Sequence, residues 1–183
     1  MRVGLYGGTF DPIHNGHIHV IQELISRKIV DHLLVLPAGQ PRLRDSKPLA
    51  TGAQRRAMCQ LAVNELPAEI KKHIEVNPIE ILREGPSYTI DTVEAVAQTY
   101  EGDTIVLIVG SDAYEKIDQW HRADELKKLV EFVVIDRPEF PGEHNTSVDA
   151  IAVSASDIRS HNSSAVPAAV AAFIKENNLY ASK

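Results

Sequence analysis

Two histidines three positions apart, His14 and His17, close the run Gly7-Gly8-Thr9-Phe10-Asp11-Pro12-Ile13-His14-Asn15-Gly16-His17 near the start of the chain. Each part of that run has a chemical use. Two glycines permit unusual backbone angles and the close approach of another group. Thr9 brings a hydroxyl and an amide. Asp11-Pro12 reads as a turn entering a helix, and residues three apart on a first helical turn share a face. A helix N-terminus adds unpaired N–H groups and the positive end of a dipole. The sum is an anion site with two imidazole donors. Its spacing is neither that of a Walker loop nor that of the dinucleotide fingerprint. The plain alternative is a tight turn followed by two ordinary helix histidines. A zinc site needs a third ligand that the neighbourhood does not offer. His19 lies on another helical face and is expected at the surface.

A second cluster, Val153-Ser154-Ala155-Ser156-Asp157-Ile158-Arg159, lies near the other end of the chain. Ser154 with Asp157 fits a capping box. Arg159 is expected in the first helical turn, where the dipole disfavours a cation. A bound anion would remove that conflict. Between the two clusters, Glu84-Gly85-Pro86-Ser87-Tyr88-Thr89 precedes a helical pattern. Pro86 disfavours helix at Gly85, and Ser87 or Thr89 suits the cap. That helix start offers its amides to a carboxylate or is simply a capped helix. Gly110-Ser111-Asp112 joins close backbone approach to a carboxylate that suits ribose hydroxyls, with Asp112 as a helix cap the alternative. Trp120 is the only tryptophan and has polar neighbours. It reads as a platform for a flat heterocycle or as a half-buried rim residue.

The elements that must hold these residues alternate. Short apolar runs predict strands over Val3–Tyr6, His32–Leu36, Ile74–Ile79, Thr104–Val109, Phe132–Ile135 and Ala150–Val153. Helical spacing marks His17–Arg27, Gly52–Glu65, Thr89–Thr99, Ala123–Leu129 and Pro167–Glu176. Asp112–Trp120 is ambiguous, and Glu139–Ser147 reads as an exposed loop. Strand–helix alternation predicts an α/β fold with a doubly wound, mostly parallel sheet, in a single domain over 1–183. Ligands of such sheets bind outside the carboxyl ends of the strands, where nearly all the distinctive segments fall.

Composition bounds the rest. The chain has 183 residues, 44% hydrophobic and 24% charged, with a formal net charge of −6. A general nucleic-acid binder is usually basic, so no nucleic-acid partner is expected. Cys59 is the single cysteine, which leaves no internal disulfide and suits a reducing cytoplasm. No apolar run reaches the roughly 18 residues of a membrane helix, and no signal peptide is expected. A monomer and a small homo-oligomer both remain open.

Taken whole, the first run resembles the G-G-x-F-x-P-x-H-x-G-H signature of the H-x-G-H nucleotidyltransferase superfamily. The resemblance implies a Rossmann-like nucleotidyltransferase fold and an ATP site. It gives His14 and His17 contacts with phosphate, and places Gly7, Gly8, Thr9 and Phe10 around the nucleotide. The second cluster is similar to the superfamily's I-S-S-T-x-I-R signature, implying phosphate roles for Ser156 and Arg159. Ala155 departs from it and loses a hydroxyl. Together, Pro86-Ser87-Tyr88-Thr89, the Gly110–Asp112 turn and Trp120 resemble the bacterial nicotinate mononucleotide adenylyltransferases. That implies acceptor contacts for Tyr88, Thr89 and Trp120, and adenylate contacts for Gly110 and Asp112. Relatives carry a P-P-H-K-like stretch where this chain has Pro37-Ala38-Gly39-Gln40-Pro41-Arg42-Leu43-Arg44. Arg44 is then the expected phosphate cation, with a planar fork in place of a point charge. Arg42, Arg44, Lys47 and Arg55 read equally as a solvated basic stretch.

The implied reaction joins ATP to nicotinate mononucleotide with Mg²⁺ held mainly by phosphate oxygens and no metal ligands from the protein. The acceptor's phosphate is already anionic, so His14, His17 and Arg159 would position and neutralise rather than abstract a proton. Nicotinamide mononucleotide or phosphopantetheine as acceptor, and a non-catalytic nucleotide sensor, stay open as alternatives.

Overall fold

The structure is a computed structural model describing residues 1–39, 47–136 and 153–181. Its strands are β1 (Arg2–Gly8), β2 (His32–Pro37), β3 (Ile74–Val76), β4 (Thr104–Gly110) and β5 (Glu131–Ile135). They form one sheet in the order β3-β2-β1-β4-β5, and each neighbouring pair is parallel. The helices are α1 (Asn15–Ser26), α2 (Gly52–Asn64), α3 (Ala68–Lys71), α4 (Ile79–Leu82), α5 (Thr89–Thr99), α6 (Ser111–Tyr114), α7 (Ala123–Leu129), α8 (Ala155–Arg159) and α9 (Ala168–Glu176), with a 3-10 turn at Ile117–Gln119.

Alternation along the strands separates two cores. Leu33, Val35, Val106, Ile108, Val133 and Ile135 face one side, where α1, α2 and α9 bring Ile21, Leu24, Met58 and Val170. Val3, Leu5, Leu34, Leu36, Leu107 and Val109 face the other, under Ile90 and Val93 of α5 and Leu126 of α7. Both faces are therefore covered, and each strand reads apolar throughout because neither of its sides meets water. Gly4 keeps the centre of β1 flat: a Cβ there would lie 2.9 Å from Leu33 Cδ1 and 3.0 Å from Ile108 Cδ1.

From β1 the chain builds outward to β2 and β3, then returns to lay β4 and β5 on the other side. The loop leaving β1 feeds α1 on one face, and the loop leaving β4 feeds α6 and α7 toward the other. Their divergence opens a crevice at the carboxyl ends of β1 and β4, the usual ligand position of a doubly wound sheet.

Some expectations are corrected. The third strand stops at Val76, not Ile79. Pro78 has no N–H for the ladder, and the Asn77 side chain accepts from the Ile79 N–H at 3.0 Å, starting α4 instead. The first helix begins at Asn15 with His14 as its N-cap, two residues before the predicted start. Of the predicted strand Ala150–Val153 only Val153 is described, and it lies in no strand. Residues 150–152 and the predicted loop Glu139–Ser147 lie outside the described residues.

Candidate active site

Gly7 and Gly8 end β1 with ordinary strand angles, so the expected unusual backbone is absent. Their use is space. A Cβ on Gly8 would lie 2.9 Å from the Phe10 ring, while one on Gly7 would meet nothing within 4 Å. Phe10 itself, at φ 49°, turns the chain and buries its ring. That ring stands edge-on to Tyr6 and to His17, with centroids 5.8 and 4.9 Å away. Only its backbone remains for a ligand.

His14 and His17 lie side by side as expected. Their rings stack with centroids 3.7 Å apart and planes 23° apart. The His14 N–H donates to His17 Nδ1 at 3.2 Å. Accepting that bond uses the Nδ1 lone pair, so the proton of the neutral ring sits on Nε2. His14 is buried, and His19 is half-buried rather than on the surface.

Asp11 fastens this loop from beneath. Its carboxylate accepts from the Leu49 and Ala50 N–H groups at 2.8 and 3.1 Å and from the Tyr180 hydroxyl at 2.6 Å. Burial and the nearby Asp11 carboxylate push the Tyr180 phenol well above its ordinary range. Arg159 reaches the same turn, donating from Nη1 to the Asp11 carbonyl at 2.7 Å and from Nη2 to Ser156 Oγ at 3.1 Å. Ser154 caps α8 by accepting from the Asp157 N–H. Arg159, however, stands in the last turn of that five-residue helix, not the first. There the dipole favours it, so the predicted conflict does not exist.

Arg55 is the buried cation behind the loop. It is 2% exposed, not solvated. Nη1 donates to the Thr9 carbonyl at 2.7 Å and Nη2 to the Gly39 carbonyl at 3.3 Å. Its spacing with Met58, Cys59 and Ala62 on the inward face of α2 is the signal that marks it as buried.

A cavity of about 330 Å³ opens beside Gly7, Gly8 and Thr9. Ser87, Tyr88 and Thr89 line it from the start of α5, Glu80 from α4, and Trp120 and His121 from the loop before α7. Tyr88, not Ser87 or Thr89, is the N-cap of α5, and its side chain makes no capping bond. The Tyr88 and His121 rings stack at 4.2 Å. Arg122 secures this rim by reaching Glu94 on α5 at 2.7 Å. Gly110 caps α6 and Asp112 sits in its first turn, so Asp112 is not the cap. Gly110 directly follows Val109, which lines the cavity, and Asp112 stands two residues further on. Arg44, Arg42 and Leu43 lie outside the described residues.

Glu80 is the carboxylate that sequence reasoning missed. Burial raises its pKa above the ordinary range, while Thr92, Arg83 and the Gly39 amide pull it back down. A raised value means that the folded chain holds the proton more tightly than the unfolded chain. The stabilisation is complete below the ordinary value of 4.5 and is lost as pH rises through Glu80's own folded pKa. Urea midpoints measured from about pH 4 to about pH 8 are expected to show this fall in the native chain and to lose it in Glu80→Gln.

Parallel sheet, crevice and paired imidazoles at a helix start together define a nucleotidyltransferase of the H-x-G-H class. Residues 5–161 match the cytidylyltransferase-like family model, and the chain belongs to that family. It is 32% identical to the nicotinate-nucleotide adenylyltransferase of Bacillus subtilis (strain 168), over 99% of both chains. It is 33% identical to the "Probable nicotinate-nucleotide adenylyltransferase" of Bacillus pumilus (strain SAFR-032), again over 99% of both. Its fold is shared with the Plasmodium falciparum nicotinic acid mononucleotide adenylyltransferase complexed with NaAD, at TM-score 0.81 and 19% identity, covering 98% of this chain and 97% of that one.

Proposed function

We propose that the chain transfers the adenylyl group of ATP to nicotinate mononucleotide, giving deamido-NAD and pyrophosphate in NAD biosynthesis. One observation carries this reading. The stacked His14–His17 pair at the start of α1 shares the β1 exit loop with a cavity lined by Tyr88, Thr89 and Trp120. The relatives of matching length are nicotinate-nucleotide adenylyltransferases.

In this reading an oxygen of the acceptor's phosphate attacks the α-phosphorus of ATP. The bond from that phosphorus to the bridging oxygen breaks, and pyrophosphate leaves with the electron pair. No proton needs to be removed, because the attacking oxygen is already anionic. His17 donates from Nε2 to the phosphates beside His14. The backbone of Gly7, Gly8, Thr9 and Phe10 approaches the nucleotide, and Ser156 and Arg159 meet its phosphates. A guanidinium has five N–H donors, so Arg159 keeps donors beyond the two spent on Asp11 and Ser156. Gly110 and Asp112 serve the adenylate, while Tyr88, Thr89, Trp120 and Arg44 serve the acceptor.

A divalent cation accompanies ATP in this family, and Mg²⁺ is the proposed one. Among the described residues no three His, Cys, Asp or Glu side chains cluster to hold a metal. Mg²⁺ at nucleotides is commonly carried by phosphate oxygens and water. When bound, it neutralises charge on the leaving pyrophosphate. One nucleotidyltransferase domain over 1–183, acting in the cytoplasm without a nucleic-acid partner, completes the proposal and rests on the diffusible nucleotide substrates.

Pyrophosphate release with ATP, Mg²⁺ and one acceptor at a time tests it. Turnover is expected with nicotinate mononucleotide and far less with nicotinamide mononucleotide or phosphopantetheine. Turnover with phosphopantetheine alone reassigns the acceptor, and silence with all of them makes the chain a sensor.

A further inference from the structure

The floor of the acceptor cavity holds a polar relay whose protons can be counted. Arg83, just after α4, donates from Nη1 to Ser87 Oγ at 2.5 Å and to Thr92 Oγ1 at 3.0 Å. Thr92, 1% exposed, sends its own hydroxyl proton to Glu80 Oε1 at 3.1 Å. Each hydroxyl has a single proton. That of Thr92 is committed to Glu80. Ser87 receives from Arg83, so its proton points away from the guanidinium. Ser87 lines the cavity, and the cavity is where that donor is presented. Among the described residues no carboxylate lies within 4.0 Å of the Arg83 guanidinium; Glu80 is coupled to it only through Thr92 and offsets part of its charge. The Ser87 hydroxyl thus stands with a cation behind it and its positive end toward the ligand.

We propose that Arg83, acting through Ser87, selects an acceptor whose ring carries an anionic carboxylate over one carrying a neutral amide. The inference rests on the acceptor reading above and names two residues outside it. A carboxylate only accepts hydrogen bonds and gains from the positive charge behind the hydroxyl. An amide brings no charge for that field to favour. Bonds to a charged group are worth more than neutral ones, so the relay acts on the difference between the two acceptors. Arg83 is a positioning residue here, since Ser87 makes the contact.

The test compares nicotinate and nicotinamide mononucleotide as acceptors, with ATP and Mg²⁺, in the native chain, Ser87→Ala, Arg83→Met, the double variant and Arg83→Lys. Each single change to an apolar side chain is expected to cut the acid-over-amide preference in kcat/KM about tenfold. The loss sits in the KM of the acid acceptor, while the KM of ATP stays put. The double variant loses no more than either single one, because one relay is broken either way. Arg83→Lys keeps the charge and restores part of the preference. Unchanged preference in Ser87→Ala overturns the inference, and that variant decides alone should Arg83→Met not fold. Losses that multiply in the double variant overturn it too. A native chain that turns over neither pyridine nucleotide instead brings down the acceptor reading, and this inference with it.

Discussion

His17→Ala is expected to slow pyrophosphate release about 10²–10³-fold with ATP and acceptor saturating, and to leave the fold intact. The size follows from geometry. The His14 N–H fixes the His17 ring through Nδ1, which commits Nε2–H to donation. Stacking on His14 and edge contact with Phe10 hold the ring plane. A donor already in place needs no reorganisation as charge builds on the transferring phosphate, which is why its loss falls on kcat. The structural cost is smaller. The variant leaves one N-terminal N–H of α1 without its side-chain acceptor, worth about 1 kcal/mol. Turnover and a urea midpoint on the same sample separate the two. Near-normal turnover removes His17 from the mechanism.

Arg55→Met is expected to cost about 2–4 kcal/mol of stability, read as a lower urea midpoint at an unchanged slope. Methionine fills much of the volume but answers neither the Thr9 nor the Gly39 carbonyl. Both bonds are part-buried, so water makes up for the lost guanidinium only in part. Thr9 lines the cavity, so activity should fall with stability. Arg55→Lys reaches only one carbonyl well and should lie between the two. A midpoint within error of the native chain would mean that the two carbonyls find other partners and that Arg55 does not brace the loop.

Much of the fold could be read from the chain because a covered parallel sheet writes continuous apolar runs. β1, β2, β4 and β5 were each within two residues of prediction at either end. The predicted β3 runs on to Ile79 because that residue continues its apolar pattern, while Pro78, with no N–H, ends the ladder. α3, α4 and α8 span only four or five residues, too short for a 3.6-residue period to declare itself. At the site, spacing alone put His14 and His17 on one face of a helix start, and their phosphate role came only with the resemblance of the whole run. The support behind them was not legible. Asp11 read as a turn residue, yet its partners Tyr180 and Arg159 are 169 and 148 positions away, and no local pattern reports contacts of that range. Ser87 read as a cap because serines commonly are, and nothing in the chain says that Arg83 takes its oxygen first.

The lacing of Asp11 to Arg159 and Tyr180 has a consequence for the order in which the protein is made. Synthesis runs from the amino end onward, so the loop after β1 is made 148 and 169 residues before the two side chains that fasten it. Asn15, whose N–H donates to the Ala165 carbonyl, waits as long. Throughout that interval the nascent chain carries its two histidines on a loop without its final bracing. The loop reaches its finished form only when Arg159 and Tyr180 fold back onto Asp11.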